Sequence, residues 1–374
     1  MTTPFRTIVL STPLLLAGCI VDLGGLSEPG SGAGGTSTGD GGGTTAGAGG
    51  GAACSPLSCG ACEEPCPEGG CPASVVANGP GVADTPLGLA VGPGALYWVN
   101  QGSGTVLRVR DDGSGPEILT TADSPRAIAA GPDLLVWSAK EGVWACPPDA
   151  CEAGKKLLAP SIAPDSAREV ARDDTFVYWT DRGSSQDAKD GVVRRCDPSD
   201  CQPQTIADLL WAPVGLALLG DDLLWTTQAD AYENGYVEKG RKAMMGSQEI
   251  IAGQVQPTGL AADDLRVYWT EYTQNGTVRT CLHGQYCAAS EEVAKAAGPL
   301  AFPRDVALAG SRVYFSTTDA DGAIRSCPSP RCGDAEAPRL HTSGRPTLHR
   351  MAVGATCVFF TDESNGGSVM KVAR

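Results

Sequence analysis

The chain has 374 residues, 49 of them glycine and 27 proline, and a formal net charge of −15 at pH 7. A molecule this acidic is repelled by nucleic acid and by anionic membrane surfaces, which sets both aside as partners of the whole protein. Fifteen cysteines, mostly at short regular spacings, indicate an oxidising compartment rather than a cytosolic enzyme.

In chain order, Arg6 precedes a short apolar segment, Ile8 to Leu16, interrupted by Pro13. It is too brief to span a bilayer but has the length of a secretory hydrophobic region, so residues 1–18 read as a signal peptide. Leu16-Ala17-Gly18-Cys19 resembles the lipobox of bacterial lipoproteins. That resemblance implies acylation of Cys19, stable membrane attachment through an N-terminal lipid, and, with Ile rather than Asp at position 20, an outer-membrane lipoprotein of the bacterial cell envelope, periplasmic or surface-exposed. The competing reading is an ordinary signal peptide cut nearby, with Cys19 in a disulfide. Gly24 to Ala53 is nearly all Gly, Ser, Thr and Ala, so residues 19–53 read as a lipidated Cys followed by a flexible tether with a reach of about 30 Å. Residues 54–72 carry Cys54, Cys59, Cys62, Cys66 and Cys71. Cys59 and Cys62 form a CxxC pair that could be half of a zinc site, but no second CxxC or His pair accompanies it, so disulfides are expected and no metal or cofactor.

From residue 73 to 374 the chain repeats. Phe176 to Asp181 reads FVYWTD, a run suited to a half-buried strand, and its closing aromatic recurs at Trp98, Trp137, Trp179, Trp225, Trp269, Phe315 and Phe360. A period of about 40 to 46 residues is that of four-stranded propeller blades. No window holds a sustained 3.6-residue apolar period, so helix should be scarce. Each unit has a first strand near a proline (PLGLAV, Pro86 to Val91), the aromatic strand, a glycine-led third strand (GTVLRV, Gly104 to Val109) and a short outer strand (EILTT, Glu117 to Thr121). The last unit ends at its third strand, while SVVAN (Ser74 to Asn78) reads as an outer strand with no blade of its own. The expected fold is therefore an all-β, seven-bladed propeller closed by an N-terminal strand that completes the last blade.

Tyr178-Trp179-Thr180-Asp181 and Tyr268-Trp269-Thr270-Glu271 resemble the YWTD repeats of the low-density lipoprotein receptor propellers. The resemblance implies a propeller fold, but that family has six blades and this chain counts seven, so no receptor ligand carries over.

Cysteine pairs follow the third strands: Cys146/Cys151, Cys196/Cys201, Cys281/Cys287 and Cys327/Cys332 are expected to clamp the turn toward the outer strand, at about 2 kcal/mol each. Cys66/Cys71 has the same form ahead of SVVAN. With Cys54/Cys59 as a further local pair, Cys62 and Cys357 remain, and a bridge between them would lock the ring.

Three histidines, His283, His341 and His349, fall in a clamp loop, an outer strand and a first strand, and compose no catalytic constellation. Asp319-Ala320-Asp321-Gly322 is a fragment of a calcium loop that reads better as a solvated turn. Asp173-Asp174, Asp221-Asp222 and Asp263-Asp264 sit in turns between first and second strands, where Asp serves the backbone. Aligning the first strands puts Leu87, Arg126, Arg168, Val214, Thr258, Arg304 and His349 at one level, rimming one mouth of the central channel. Arg126, Arg168, Arg304 and His349 are the candidate ligand-binding residues. Pairing of Arg168 and Arg304 with neighbours such as Glu169 and Asp305 is the competing account. The hairpins of the third and fourth blades, Asp181 to Asp190 and Gln228 to Asn234, open on the same face. The sequence thus points to a monomeric envelope binding or scaffold module for a protein, glycan or small anionic ligand. The alternative is a propeller lyase or lactonase with a site in the channel.

Overall fold

The computed structural model describes residues 57–59, 72–229, 234–284 and 286–374. The signal peptide, Cys19, the tether and Cys54, Cys62, Cys66 and Cys71 lie outside the described residues, as do positions 230–233 of the fourth blade's hairpin. Within them are seven four-stranded antiparallel sheets forming a seven-bladed β-propeller, with almost no helix. Blade one comprises Pro86–Gly92, Ala95–Asn100, Thr105–Arg110 and Glu117–Thr121. Blades two to seven begin with Ile128–Ala130, Ala167–Arg172, Pro213–Leu219, Pro257–Ala262, Pro303–Ala309 and Leu348–Val353. Blade seven takes its outer strand from the front of the domain: Ser74–Asn78 pairs antiparallel with Ser368–Ala373.

The aromatic strands show why a run apolar on both faces is needed. Side chains alternate across a strand, and each blade is covered by a neighbour on either side. Trp179 packs between blades two and three, whereas Tyr178 packs between three and four. Likewise Trp98 faces blade seven and Tyr97 faces blade two. The result is seven inter-blade cores rather than one central core, and all seven closing aromatics are at most 1% exposed.

The other letters of the motif serve the fold as well. The hydroxyl after the aromatic accepts the N–H of its own blade's first strand and donates to a carbonyl of the next. Thr180 Oγ1 accepts from Glu169 N at 3.0 Å and donates to Val214 O at 3.1 Å. Ser138, Thr226, Thr270 and Thr361 repeat the arrangement, and Thr361 closes the ring by donating to Leu87 O at 3.1 Å. The final acid pins the segment entering its blade, as Asp181 Oδ2 does by accepting from Ile162 N at 2.8 Å.

Cysteine pairing departs from expectation twice. Cys146–Cys151, Cys196–Cys201 and Cys327–Cys332 are bridged, with Cα atoms 4.8 to 5.0 Å apart. Cys281 and Cys287 are instead buried free thiols sharing a hydrogen bond. Their spacing is six positions where that of the bridged pairs is five. Cys357 pairs with Cys59, not with Cys62, so Cys59 cannot form a local pair with Cys54. The reason is local anchoring: Cys59 N donates to Thr356 Oγ1 at 3.0 Å and Lys371 Nζ donates to Ser58 O at 2.6 Å, which seats Cys59 in the core between blades seven and one.

Candidate functional site

The mouth of the channel is built by a device that recurs at the start of the first strands. A non-glycine residue with positive φ stands immediately before the proline: Thr85 (51°), Ser124 (50°), Ala212 (31°), Gln256 (44°) and Phe302 (48°). Such conformations cost about 1–3 kcal/mol each and persist only where the surroundings impose them. In six blades a β-bulge follows, and the residue just inside it is Leu87, Arg168, Val214, Thr258, Arg304 or His349. Bulges re-aim side chains, and here they bring these six to the wall of one cavity of about 380 Å³, which Arg126 also lines.

The next residue along forms a second layer: Gly88, Ala127, Glu169, Gly215, Gly259, Asp305 and Arg350. Where it is glycine, neighbouring backbones nearly touch; a Cβ on Gly215 would lie 2.3 Å from Thr258 O. Where it is charged, the groups meet. Arg350 donates to Glu169 from across the ring and lies 3.6 Å from Asp305 Oδ1, while Asp305 Oδ2 accepts from Met351 N at 2.8 Å. This trio, of which Asp305 is buried and the other two are half-buried, stands between the mouth cavity and an inner one of about 180 Å³. Burial works against the Arg350 cation, but Glu169 and Asp305 outweigh it and raise its pKa; burial raises that of Glu169.

The three ring arginines differ. Arg126 grips Asp165 in a two-pronged pair, Nε to Oδ1 at 3.1 Å and Nη2 to Oδ2 at 2.7 Å. Burial alone would raise Asp165, yet these bonds hold it below the usual carboxylate range. Arg168 donates Nη1 only to backbone carbonyls, Asp165 O at 2.7 Å and Ala167 O at 3.1 Å. Burial, with Arg126 and Arg182 nearby, brings it down to about 10, opposed at longer range by Asp165 and Asp181. Arg304 lies over the Tyr272 ring at 5.3 Å and donates to its hydroxyl at 3.3 Å, and Tyr272 is itself packed on Phe302. Burial lowers Arg304 too. Among the described residues neither Arg168 nor Arg304 has a carboxylate within ion-pair distance, because Arg350 has taken both Glu169 and Asp305. The expected local pairing of Arg168 with Glu169 and of Arg304 with Asp305 is thus absent.

His349 reaches the cavity in a different role from the arginines. Its Nε2 accepts from Arg304 Nη2, which leaves the proton on Nδ1, and that nitrogen is sealed without a partner among the described residues. Burial and the adjacent Arg304, Arg350 and Arg126 hold it well below the usual histidine value, so it is neutral at pH 7. Sequence alignment missed Arg182 and Gln186 of the third hairpin, Gln228, Gln256 and Tyr272, which also line the cavity. The lengths of the third and fourth hairpins signalled Arg182, Gln186 and Gln228; nothing in the sequence signalled Gln256 and Tyr272. Five arginines and a single glutamate line this mouth on a protein of net charge −15.

His341 and His283 lie elsewhere, in an outer strand and a clamp loop. Asp319 to Gly322 forms a turn closed by Gly322 N donating to Asp319 O at 2.8 Å. Asp173 accepts from Thr175 N, Phe176 N, Tyr178 Oη and Lys242 Nζ, a structural use of the turn acid. Among the described residues no three His, Cys, Asp or Glu side chains gather as metal ligands would.

No protein-family model matches the sequence, and no curated protein does. Solved structures do resemble the fold. A computationally designed protein, Ika8, is 14% identical, covers 80% of this chain and 98% of its own, and superposes with a TM-score of 0.53. A streptogramin B lyase is 12% identical over 78% of this chain and 93% of its own, with a TM-score of 0.59. Hydrazine synthase of Kuenenia stuttgartiensis is 12% identical over 78% and 96%, with a TM-score of 0.57. Likenesses this distant share a fold and carry no activity across.

Proposed function

We propose that the protein is a binding module whose channel mouth captures an anionic group of a protein, glycan or small molecule. The observation that carries this reading is the pair of ring guanidiniums, Arg168 and Arg304, that open on the cavity without a carboxylate partner. Guanidiniums offer paired, charge-assisted donors to a carboxylate or phosphate, and crowding several of them is costly unless something neutralises them. Calorimetric titration of acetate, glucuronate and inorganic phosphate against the protein and an Arg168→Gln/Arg304→Gln variant tests it. Binding by the parent and at least a tenfold loss in the variant is expected; equal affinities would remove the site. Because the surrounding surface is negative, association should quicken as salt rises from low concentration.

The lyase or lactonase alternative rests on likeness of fold. His349, the only histidine on the cavity wall, is committed through Nε2 to Arg304 and sealed at Nδ1, which disfavours it as a proton carrier.

The address completes the proposal: a YWTD-like propeller held at the bacterial outer membrane by a lipid on Cys19 and lifted off it by the tether. Cys19→Ala should release the folded domain from the membrane fraction. A variant still membrane-bound after a high-salt wash would refute the anchor.

A further inference from the structure

Resting on the reading of the mouth as an anion site, we infer that its ligand is a small dianion, with an acidic group at each end of an uncharged body, bridging Arg168 and Arg304. The two guanidiniums belong to blades three and six, three steps apart in a ring of seven, the greatest separation such a ring allows. Of the other charged groups, Arg182 of the third hairpin lies near Arg168 and adds to that pole, Glu363 acts on Arg304 from beyond ion-pair distance, and the rest are used. Arg350 on the floor is held by Glu169 and Asp305, Arg126 is held by Asp165, and His349 is neutral.

Apart from Arg182, the remaining wall is uncharged: Leu87, Val214 and Thr258 from the ring, and the amides of Gln228 and Gln256 at the rim. Arg168 donates only through Nη1, to backbone carbonyls, and Arg304 donates to Tyr272 and His349; neither has a nitrogen that is both sealed and unpartnered. A monoanion would neutralise one wall and leave the other cation as it was. A ligand with two acids satisfies both, and its second contact forms intramolecularly, at an effective concentration set by the spacer.

The probes are a series of straight-chain dicarboxylates of increasing length, each compared with its own monomethyl ester, titrated calorimetrically against the full-length protein. One spacer length should bind at least tenfold more tightly than its monoester. Either Arg168→Gln or Arg304→Gln should abolish the advantage of that diacid over its ester. Diacids no tighter than their esters at any length, with esters still bound, would overturn the bridging inference and leave the anion site standing. Neither series binding would sink both. The comparison of acid with ester on the unaltered protein decides the matter even if a variant fails to fold.

Discussion

At the scale of single residues, position in the repeat says little about charge state. Arg126 and Arg168 hold equivalent ring positions, yet Asp165 neutralises one and gives the other only its backbone carbonyl. Two histidines carry a pH dependence. His341 donates Nδ1 to Ala373 O at 2.9 Å and accepts from Ser326 Oγ at 2.8 Å, tying the end of blade seven to blade six. Burial lowers its pKa, as it does for His349. A base depressed in the folded state binds fewer protons there than when unfolded. Stability from these residues is therefore fully present above about pH 6.5 and declines below it, by up to ~1.4 kcal/mol per pH unit for each histidine. Denaturant titrations between pH 7.5 and 5 check this, and His341→Gln should flatten the slope. A rise in stability on acidification would contradict the neutral assignment. The thiols give a second test: alkylation of unreduced, denatured protein should label Cys281 and Cys287 and spare Cys146, Cys151, Cys196, Cys201, Cys327 and Cys332. An unlabelled Cys281 would show that its clamp closes like the others.

At the scale of the element, the first strand is a positioning device. In blades one, four, five and six a left-handed residue, a proline and a bulge together aim one side chain into the mouth, while a hydroxyl of the aromatic strand holds the backbone on both sides. Thr361→Val keeps the shape and removes the hydroxyl, stranding Arg350 N–H and Leu87 C=O where they are buried. The expected loss is about 1–3 kcal/mol. The same change at Thr180 should also weaken anion binding, since Thr180 holds the backbone of Glu169, which anchors Arg350. Unchanged stability in both variants would mean that packing alone sets the ring.

At the scale of the molecule, closure combines a strand and a disulfide. Val82 O accepts from Trp98 Nε1 at 2.9 Å and from Asn100 Nδ2 at 3.1 Å, so the segment after the closing strand is sealed against blade one. The Cys59–Cys357 bridge spans 298 positions. Chain entropy assigns such a loop at most about 5 to 6 kcal/mol, and long loops usually deliver less. A Cys59→Ser/Cys357→Ser variant should stay folded but unfold at lower denaturant. Deleting residues 72–78 should do worse, because it bares the edge of Ser368–Ala373 to other chains; size-exclusion chromatography would then show oligomers. A monomeric deletion variant would mean that this edge is protected otherwise.

The repeat of aromatic strands by itself determined the seven blades, the completing role of SVVAN and the ring level shared by Arg126, Arg168, Arg304 and His349. Those are periodic properties, and a period in the chain becomes a rotation in space without further information. The chain could not say which acids neutralise which arginines. Glu169 is next to Arg168 in sequence but bonds Arg350, 181 positions away, because only the closed ring brings their blades face to face across the channel. Nor could spacing distinguish Cys59 from Cys62 as the partner of Cys357, or a thiol pair from a bridge at Cys281 and Cys287. Those outcomes turn on distances of an ångström or two between backbones, and such distances are decided by tertiary packing.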